Sequence, residues 1–315
     1  MKRTEVDVLI IGGGPAGLSA AIELKKSGVK SVRVIERERS AGGVPRHSFH
    51  PGYGLRDFKQ FLSGPKYAQK YVAAAIAAGV QISTSSTATK WASDYEIEVT
   101  LPTGLETITA RAIILATGAR ERARAARAVP GKRPAGIYTT GSLQQSTYLE
   151  DLDIGTRAVV VGAEHVSFSA VMTLKHAGVK TVAMLTDKKK HETVGIVRWA
   201  LGLWYRFRLI TECEIIDIQG DKRVSGLRIR RGGKEILIAC DTIVFTGNWI
   251  PDNELARRGG FGIDSHFKSP IVDASSQMQR NNIYAIGNLV LPIKAADKCA
   301  LDARAVAKMV AAKLR

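Results

Sequence analysis

Cysteine is scarce in this chain, and what there is lies far apart. Its three cysteines, Cys213, Cys240 and Cys299, are too few and too scattered for a disulfide framework or a zinc knuckle. No C-x-x-C pair occurs, which excludes a thioredoxin-type redox disulfide. No apolar run reaches the roughly 18 residues that a membrane-spanning helix needs. The strand-like run Val6–Ile11 begins almost at the N-terminus, so we expect no cleavable signal segment and a reducing, cytoplasmic setting. Acidic residues are outnumbered: 46 Lys and Arg against 29 Asp and Glu leave a net charge of +17. That surplus favours acidic partners, whether nucleotide phosphates, anionic substrates, acidic proteins or a membrane surface. No helix-turn-helix, zinc or RNA-binding signature goes with it, so no nucleic-acid partner is expected.

What the chain has is a repeat. At 315 residues it is long enough for two domains of roughly 150 residues each. Shifted by 150, residues 7–37 overlay residues 157–187 without a gap. DVLIIGGGPAGLSAAIELKKSGVKSVRVIER lies over RAVVVGAEHVSFSAVMTLKHAGVKTVAMLTD. Each copy reads strand, tight turn, helix, strand. The first strand is continuously apolar, as in a parallel sheet covered on both faces. Leu18, Ala21, Ile22 and Leu24 carry the helical period, and Gly28 and Gly178 stop the two helices. The second strands are Ser31–Ile35 and Thr181–Leu185. ILATG (Ile114–Gly118) and IVFTG (Ile243–Gly247) close the two copies. Antiparallel strands fall between, at Glu96–Leu101 and Glu106–Ala110 in the first half and at Arg223–Arg231 and Glu235–Ala239 in the second. The tail adds a strand, Ile283–Ile286, and a helix, Ala295–Leu314. The expectation is an α/β protein with two Rossmann-like three-layer domains, the second inserted into the first. Residues 1–120 and 270–315 form one, and residues 121–269 the other.

The first copy carries G-x-G-x-x-G at Gly12, Gly14 and Gly17, between a strand and a helix. Gly12 permits the turn, Gly14 lets the backbone approach a pyrophosphate, and Gly17 lets helix and strand pack. Pro15 and Ala16 open the helix, whose N–H groups and dipole favour phosphates. Glu36 ends the second strand 24 residues after Gly12, where an acid binds a ribose hydroxyl. Dinucleotide binding follows.

The continuation ERERSAGGVPRHS resembles the FAD-binding start of the two-dinucleotide-domain flavoproteins. Leu115–Gly118 and NIYAIGN (Asn282–Asn288) resemble that family's two further FAD-contact motifs. Their order resembles the pyridine nucleotide–disulfide oxidoreductase superfamily over the whole chain, in a thioredoxin-reductase-like arrangement. The resemblance implies FAD held by Gly12, Gly14, Pro15, Ala16, Gly17, Glu36, Arg37, Gly42, Gly43, Ala116, Thr117, Gly118, Gly287 and Asn288. Asn288 replaces the family's usual Asp at the ribityl chain; an amide still bonds a hydroxyl. The helix after it, with Lys294 and Lys298, would face the flavin pyrimidine ring, or those lysines are ordinary surface residues. Pro45–Ala68 and Ala116–Gln145 resemble the FAD subunits of multi-component amine, opine, hydroxyproline, cyanide-forming and glycerol-phosphate-type dehydrogenases. The implied partner is a second oxidoreductase subunit.

His47 and His50 follow Gly42-Gly43 and are candidates for proton donors beside the flavin, or hydrogen-bonded loop histidines. Arg46 faces the flavin or the solvent. Cys299 reads as a small buried residue. In the second copy Gly162 keeps the turn, but Glu164 and Ser167 replace the second and third glycines and Thr186 replaces the acid. A carboxylate there repels pyrophosphate. Lys188 and its neighbours favour the 2′-phosphate of NADPH or form a solvated loop. NAD(P)H binding by the second domain therefore stays open. Val194–Ile210, with Arg198, Arg206 and Arg208 among aliphatics and tryptophans, is a buried element or a face for a partner or a membrane surface. The Arg-rich stretch Arg120–Arg133 reads as a solvated linker, or else contacts phosphate. Three functions remain: an electron-relaying FAD subunit of a multi-component dehydrogenase, a stand-alone NAD(P)H-dependent flavin reductase, and a non-enzymatic nucleotide-binding scaffold.

Overall fold

The structure is a computed structural model that describes residues 2–190, 207–290 and 294–315. Most of the Val194–Ile210 segment, including Arg198 and Arg206, lies outside the described residues. The chain divides into two compact units, residues 1–120 with 249–315 and residues 121–248. Residues 249–269, expected in the inserted unit, belong to the first. The reason is packing: Leu255, Ala256 and Phe261 are buried with Leu9, Ile35, Ile97 and Ile113 of the first unit's core.

In the first unit β1 (Lys2–Ile11) is flanked by β2 (Val32–Ile35), and β3 (Gln81–Ser83) lies beyond β2. β4 (Thr87–Ser93), β5 (Glu96–Leu101) and β6 (Gly104–Leu115) form an antiparallel meander whose last strand runs parallel to β1. Two separate elements, Glu106–Ala110 and the ILATG closure, were expected here; β6 is one strand through both. Its first part pairs with β5 and its last part with the C-terminal strand Ile283–Ala285. Helices α1 (Pro15–Lys26) and α2 (Gly64–Ala77) and the C-terminal helix Ala296–Leu314 bury their apolar sides together on one face of this sheet. The sequence pattern did not reveal α2. Its alanine-rich run is helix-forming, and it ends at Gly79, whose φ is +74°.

A charged contact crosses the first sheet. Arg33 on β2 donates two hydrogen bonds to Glu106 on β6, each 2.9 Å, and Thr4 on β1 adds a third. Both charged side chains are more than nine-tenths buried. The Arg33 guanidinium holds the Glu106 carboxyl below its usual range.

The second unit repeats the plan. Its parallel sheet runs β7 (Ile137–Thr139), β14 (Thr242–Phe245), β8 (Arg157–Val161), β9 (Lys180–Leu185) and β10 (Arg208–Ile210). Helices α3 (Thr140–Tyr148) and α4 (His165–His176) pack on it. A separate antiparallel meander holds β11 (Cys213–Gln219), β12 (Gly226–Arg231) and β13 (Lys234–Ala239); β11 was not expected. The repeat holds at single hydrogen bonds. Gly12 N–H donates to Ile35 O at 2.9 Å, and Gly162 N–H donates to Leu185 O at 2.8 Å. The closing strands differ from the letter match. Ile11 pairs with Leu115, whereas Val161 pairs with Phe245. Thr246 thus takes the place of Ala116, one residue out of step with the ILATG/IVFTG alignment.

Removing one partner of a buried ion pair costs about 3–5 kcal/mol, because the other charge is left uncompensated. Glu106→Gln should lower the stability of the first unit by that order, read from denaturant unfolding. The sign with pH follows from the lowered carboxyl. Its stabilisation is complete above the unfolded value near 4.5 and is lost as pH falls through the lower folded value. The acid-unfolding difference between the variant and the parent should therefore shrink below that pH.

Candidate functional site

The site of the first unit is built on backbone that approaches too closely for side chains. Gly12 has φ +113°, and a Cβ there would lie 2.3 Å from Ala116 O. A Cβ on Gly17 would lie 2.0 Å from Gly12 O. Gly14 differs: nothing comes nearer its missing Cβ than Gly43 Cα, at 3.9 Å. It precedes α1, whose N-terminus carries no side-chain cap among the described residues. Strand end, bare turn and uncapped helix together leave a cradle of free N–H groups with the positive end of a helix dipole behind it.

The other predicted residues gather around this turn. Glu36 is buried; its carboxylate accepts Gly13 N–H at 2.8 Å and Glu38 N–H at 2.9 Å. Each oxygen keeps a lone pair for a ribose hydroxyl. Gly42 N–H donates to Gly13 O at 2.8 Å, and Gly43, with φ +63°, lies against Gly14. Gly287 touches Ala16: a Cβ on it would meet the Ala16 Cβ at 2.8 Å. Thr117 donates its hydroxyl to Asp252 O at 2.7 Å, and Arg37 reaches the Asp252 carboxylate at 3.0 Å. Asp252 thus ties two predicted residues together; its distance along the chain left it without a sequence signal.

Asn288 is largely occupied. Its Oδ1 accepts Lys294 N–H at 3.1 Å and the Cys299 thiol at 3.3 Å, and its Nδ2 donates to Lys294 O at 3.2 Å. One amide N–H is left for a hydroxyl. Lys294 and Lys298 both reach Asp302, so neither is a bare surface charge. Burial pushes the Cys299 thiol up to about 11, which keeps it protonated at neutral pH. His47 is buried in the turn after Gly43, and His50 contacts Pro51 O and stacks on Tyr53 at 5.3 Å. Arg46 salt-bridges Glu38 at 3.6 Å, while its Nε is buried without a partner. That orphan donor beside the cradle, and the space in front of Gly14, fit an anionic dinucleotide.

The second unit brings together Gly162, Glu164 and Ser167, while Lys188 lies three residues beyond the end of β9. Glu164 turns its carboxylate back over the turn: Oε2 accepts Ala163 N–H at 2.9 Å and Oε1 accepts the Thr246 hydroxyl at 2.6 Å. Lys188 N–H donates to Thr186 Oγ1 at 3.2 Å. Glu121, buried, accepts Gly141 N–H and Gly247 N–H at 3.0 Å each, and burial pushes its carboxyl up. The Arg-rich stretch is only partly solvated: Arg120 and Arg133 are exposed, but Arg124 and Arg127 are not. Arg124 is buried and donates to the carbonyls of Val129, Pro130, Gly131 and Lys132. Arg127 donates to those of Arg122, Thr246 and Gly247. Both satisfy loop backbone, so neither is a free phosphate contact.

Two Rossmann-like units in one chain, the first with a bare glycine turn and a buried acid, define a dinucleotide-dependent oxidoreductase. The family model described as pyridine nucleotide-disulphide oxidoreductase matches residues 6–307, and the chain belongs to that family. It is an FAD-dependent oxidoreductase, in line with the sequence motifs, and the non-enzymatic scaffold reading is set aside. It is 24% identical over 316 residues to an opine oxidase component of Rhizobium meliloti, named as one of that enzyme's subunits, covering 91% of this chain and 59% of that one. It is 26% identical over 296 residues to thioredoxin reductase of Mycolicibacterium smegmatis, covering 92% and 90%. The chain spans about three-fifths of the length of the opine oxidase subunits it matches. Among solved structures, T. acidophilum thioredoxin reductase superimposes with a TM-score of 0.80 at 21% identity, over 98% of each chain. Among the described residues no helix is long and apolar enough to cross a membrane.

A side chain at Gly14 meets open space in the protein but blocks the cradle. Gly14→Val should therefore keep the far-ultraviolet circular dichroism of the parent and lose its flavin. The check is the flavin absorbance of the purified variant against protein concentration. Full FAD occupancy would show that the pyrophosphate lies elsewhere.

Proposed function

We propose that this chain is the FAD-carrying, electron-relaying subunit of a multi-component dehydrogenase. The observation that carries the reading is the state of its thiols. Cys213, Cys240 and Cys299 are buried and unpaired, and burial pushes Cys240 up to about 12 and Cys299 to about 11. Protonated, separated thiols do not cycle as a dithiol, so the disulfide chemistry in the family's description has no partner group here. Electrons reaching the flavin then pass to another polypeptide. Two relatives from Rhizobium meliloti support this by name: one is a subunit of opine oxidase, the other the alpha subunit of sarcosine oxidase.

FAD supplies reversible two-electron transfer when bound. The residues that would hold it are those of the cradle. The N–H groups at Gly14 and the start of α1 take the pyrophosphate, and Glu36 takes ribose hydroxyls. Gly42 and Gly43 let the next segment close over the turn. Gly287 lies against Ala16, and Asn288 would offer its remaining N–H to the ribityl chain. Ala116 packs against Gly12, and Thr117 and Gly118, tied to Asp252, complete the set. His47 and His50, in the segment after Gly43, are the candidates for moving a proton at the flavin.

The stand-alone NAD(P)H-dependent reductase remains the second reading, favoured by near full-length similarity to thioredoxin reductase. Native purification followed by anaerobic turnover separates the two. We expect a second oxidoreductase polypeptide to co-purify, and amine or imino-acid substrates to bleach the flavin only when it is present. Substrate turnover by the isolated chain, or rapid bleaching by NADH or NADPH, would overturn the relay.

A further inference from the structure

We infer that the dinucleotide turn of the second unit is closed by a plug made of its own side chains, and that this unit does not bind NAD(P)H. The two copies differ at three neighbouring places. Gly14 corresponds to Glu164 and Gly17 to Ser167 by the repeat, and Ala116 corresponds to Thr246 by strand register. The three replacements are bonded to one another. Glu164 N–H donates to Ser167 Oγ at 3.2 Å, Ser167 Oγ meets Thr246 Oγ1 at 2.8 Å, and Thr246 donates to Glu164 Oε1 at 2.6 Å. Ser167 and Thr246 are buried. The three residues thus form one closed ring.

The ring also takes over the work of the ribose acid. In the first unit Gly13 N–H is held by Glu36 from the end of β2, which leaves position 14 bare. In the second unit the equivalent Ala163 N–H is held by Glu164 itself, at 2.9 Å. Thr186, in the place of Glu36, keeps only the local bond to Lys188 N–H that Glu36 makes to Glu38 N–H. The carboxylate has moved from the rim of the cradle into its centre. Missing Cβ atoms on Gly162 and Gly247 would lie 2.8 Å and 2.3 Å from Glu164 Oε1, so this oxygen fills the gap between the two turns.

Two donors near the turn are already engaged. Glu121 holds Gly247 N–H, a donor in the same turn, and the Arg127 guanidinium is engaged with carbonyls. A pyrophosphate charge about 4 Å from Glu164 would weaken binding on the order of a thousandfold at an effective dielectric near 20. Beyond charge repulsion, the plug also occupies the Glu164 N–H, the counterpart of the Gly14 N–H, which bonds Ser167 Oγ.

The test uses oxidised holoprotein and the redox-silent ligands NAD+ and NADP+, with binding read by isothermal titration calorimetry and thermal shift. The flavin takes no part, so the result is independent of whether the relay reading holds. For the parent we expect no saturable binding up to about 1 mM and no shift in melting temperature with either ligand. E164G/S167G/T246A, which restores the residues of the first copy, should gain at least tenfold in affinity and be stabilised by nucleotide. E164A keeps the Ser167–Thr246 bond, guards against misfolding of the triple variant, and should gain in the same direction. Saturable binding by the parent well below 1 mM would overturn the proposal. So would folded variants that bind no better than the parent.

Discussion

A carbonyl and an absent methyl group set the geometry of the first unit. Gly12 ends β1 with φ +113°, and the Ala116 carbonyl stands 2.3 Å from where its Cβ would be. Any other residue would force β1 and β6 apart at the point where Ala116 N–H bonds Ile11 O at 2.7 Å. The close crossing aims α1 away from the strand end, and Gly17 lets the helix lie against Gly12. Because the chain turns so sharply, the first N–H groups of α1 face outwards and uncapped. The open cradle is a consequence of that approach, and Glu36, Gly43 and Gly287 are arranged about it.

The second unit keeps the same crossing and uses it differently. Gly162 has φ +136° and bonds Leu185 O as Gly12 bonds Ile35 O. The turn and the fold are therefore common to both copies, because they rest on a bond from the glycine N–H to a strand carbonyl, which involves no side chain. What changed is the surface in front of the turn. Two units of one fold thus carry unequal chemistry, as expected when function resides in sites placed on a fold. Under the proposed relay, one unit would hold the flavin and the other would contribute a folded body with no nucleotide of its own to bind.

The basic surplus has a similar lesson. A net charge of +17 suggested a surface seeking phosphates, but several arginines are structural. Arg33 is locked to Glu106, Arg124 and Arg127 to loop carbonyls, and Arg304 to Ser19 and Tyr71. Tyr71 and Tyr67 in turn share the Asp57 carboxylate at 2.7 Å each. Guanidinium groups satisfy several acceptors at once, so they serve as interior ties where irregular backbone leaves carbonyls unpaired. Charge counted along the chain does not distinguish such ties from free surface charge.

Consecutive residues were enough to specify the two strand–turn–helix units, their offset of 150 residues, the glycine turn at Gly12–Gly17 and the FAD family. Each rests on local backbone sterics or on a period, and both are written in neighbouring positions. Folding in three dimensions decided which residues meet across the chain. Asp252 reaches Arg37 from 215 positions away, and Thr246 reaches Glu164 from 82. It also placed residues 249–269 with the first unit, through a buried Phe261 that no linker signal marks. The ILATG and IVFTG echoes looked equivalent, but strand register differs between them by one residue. In a sheet one residue changes which side chain stands at a given point. That single step puts the Thr246 hydroxyl, rather than a methyl group like that of Ala116, against Glu164.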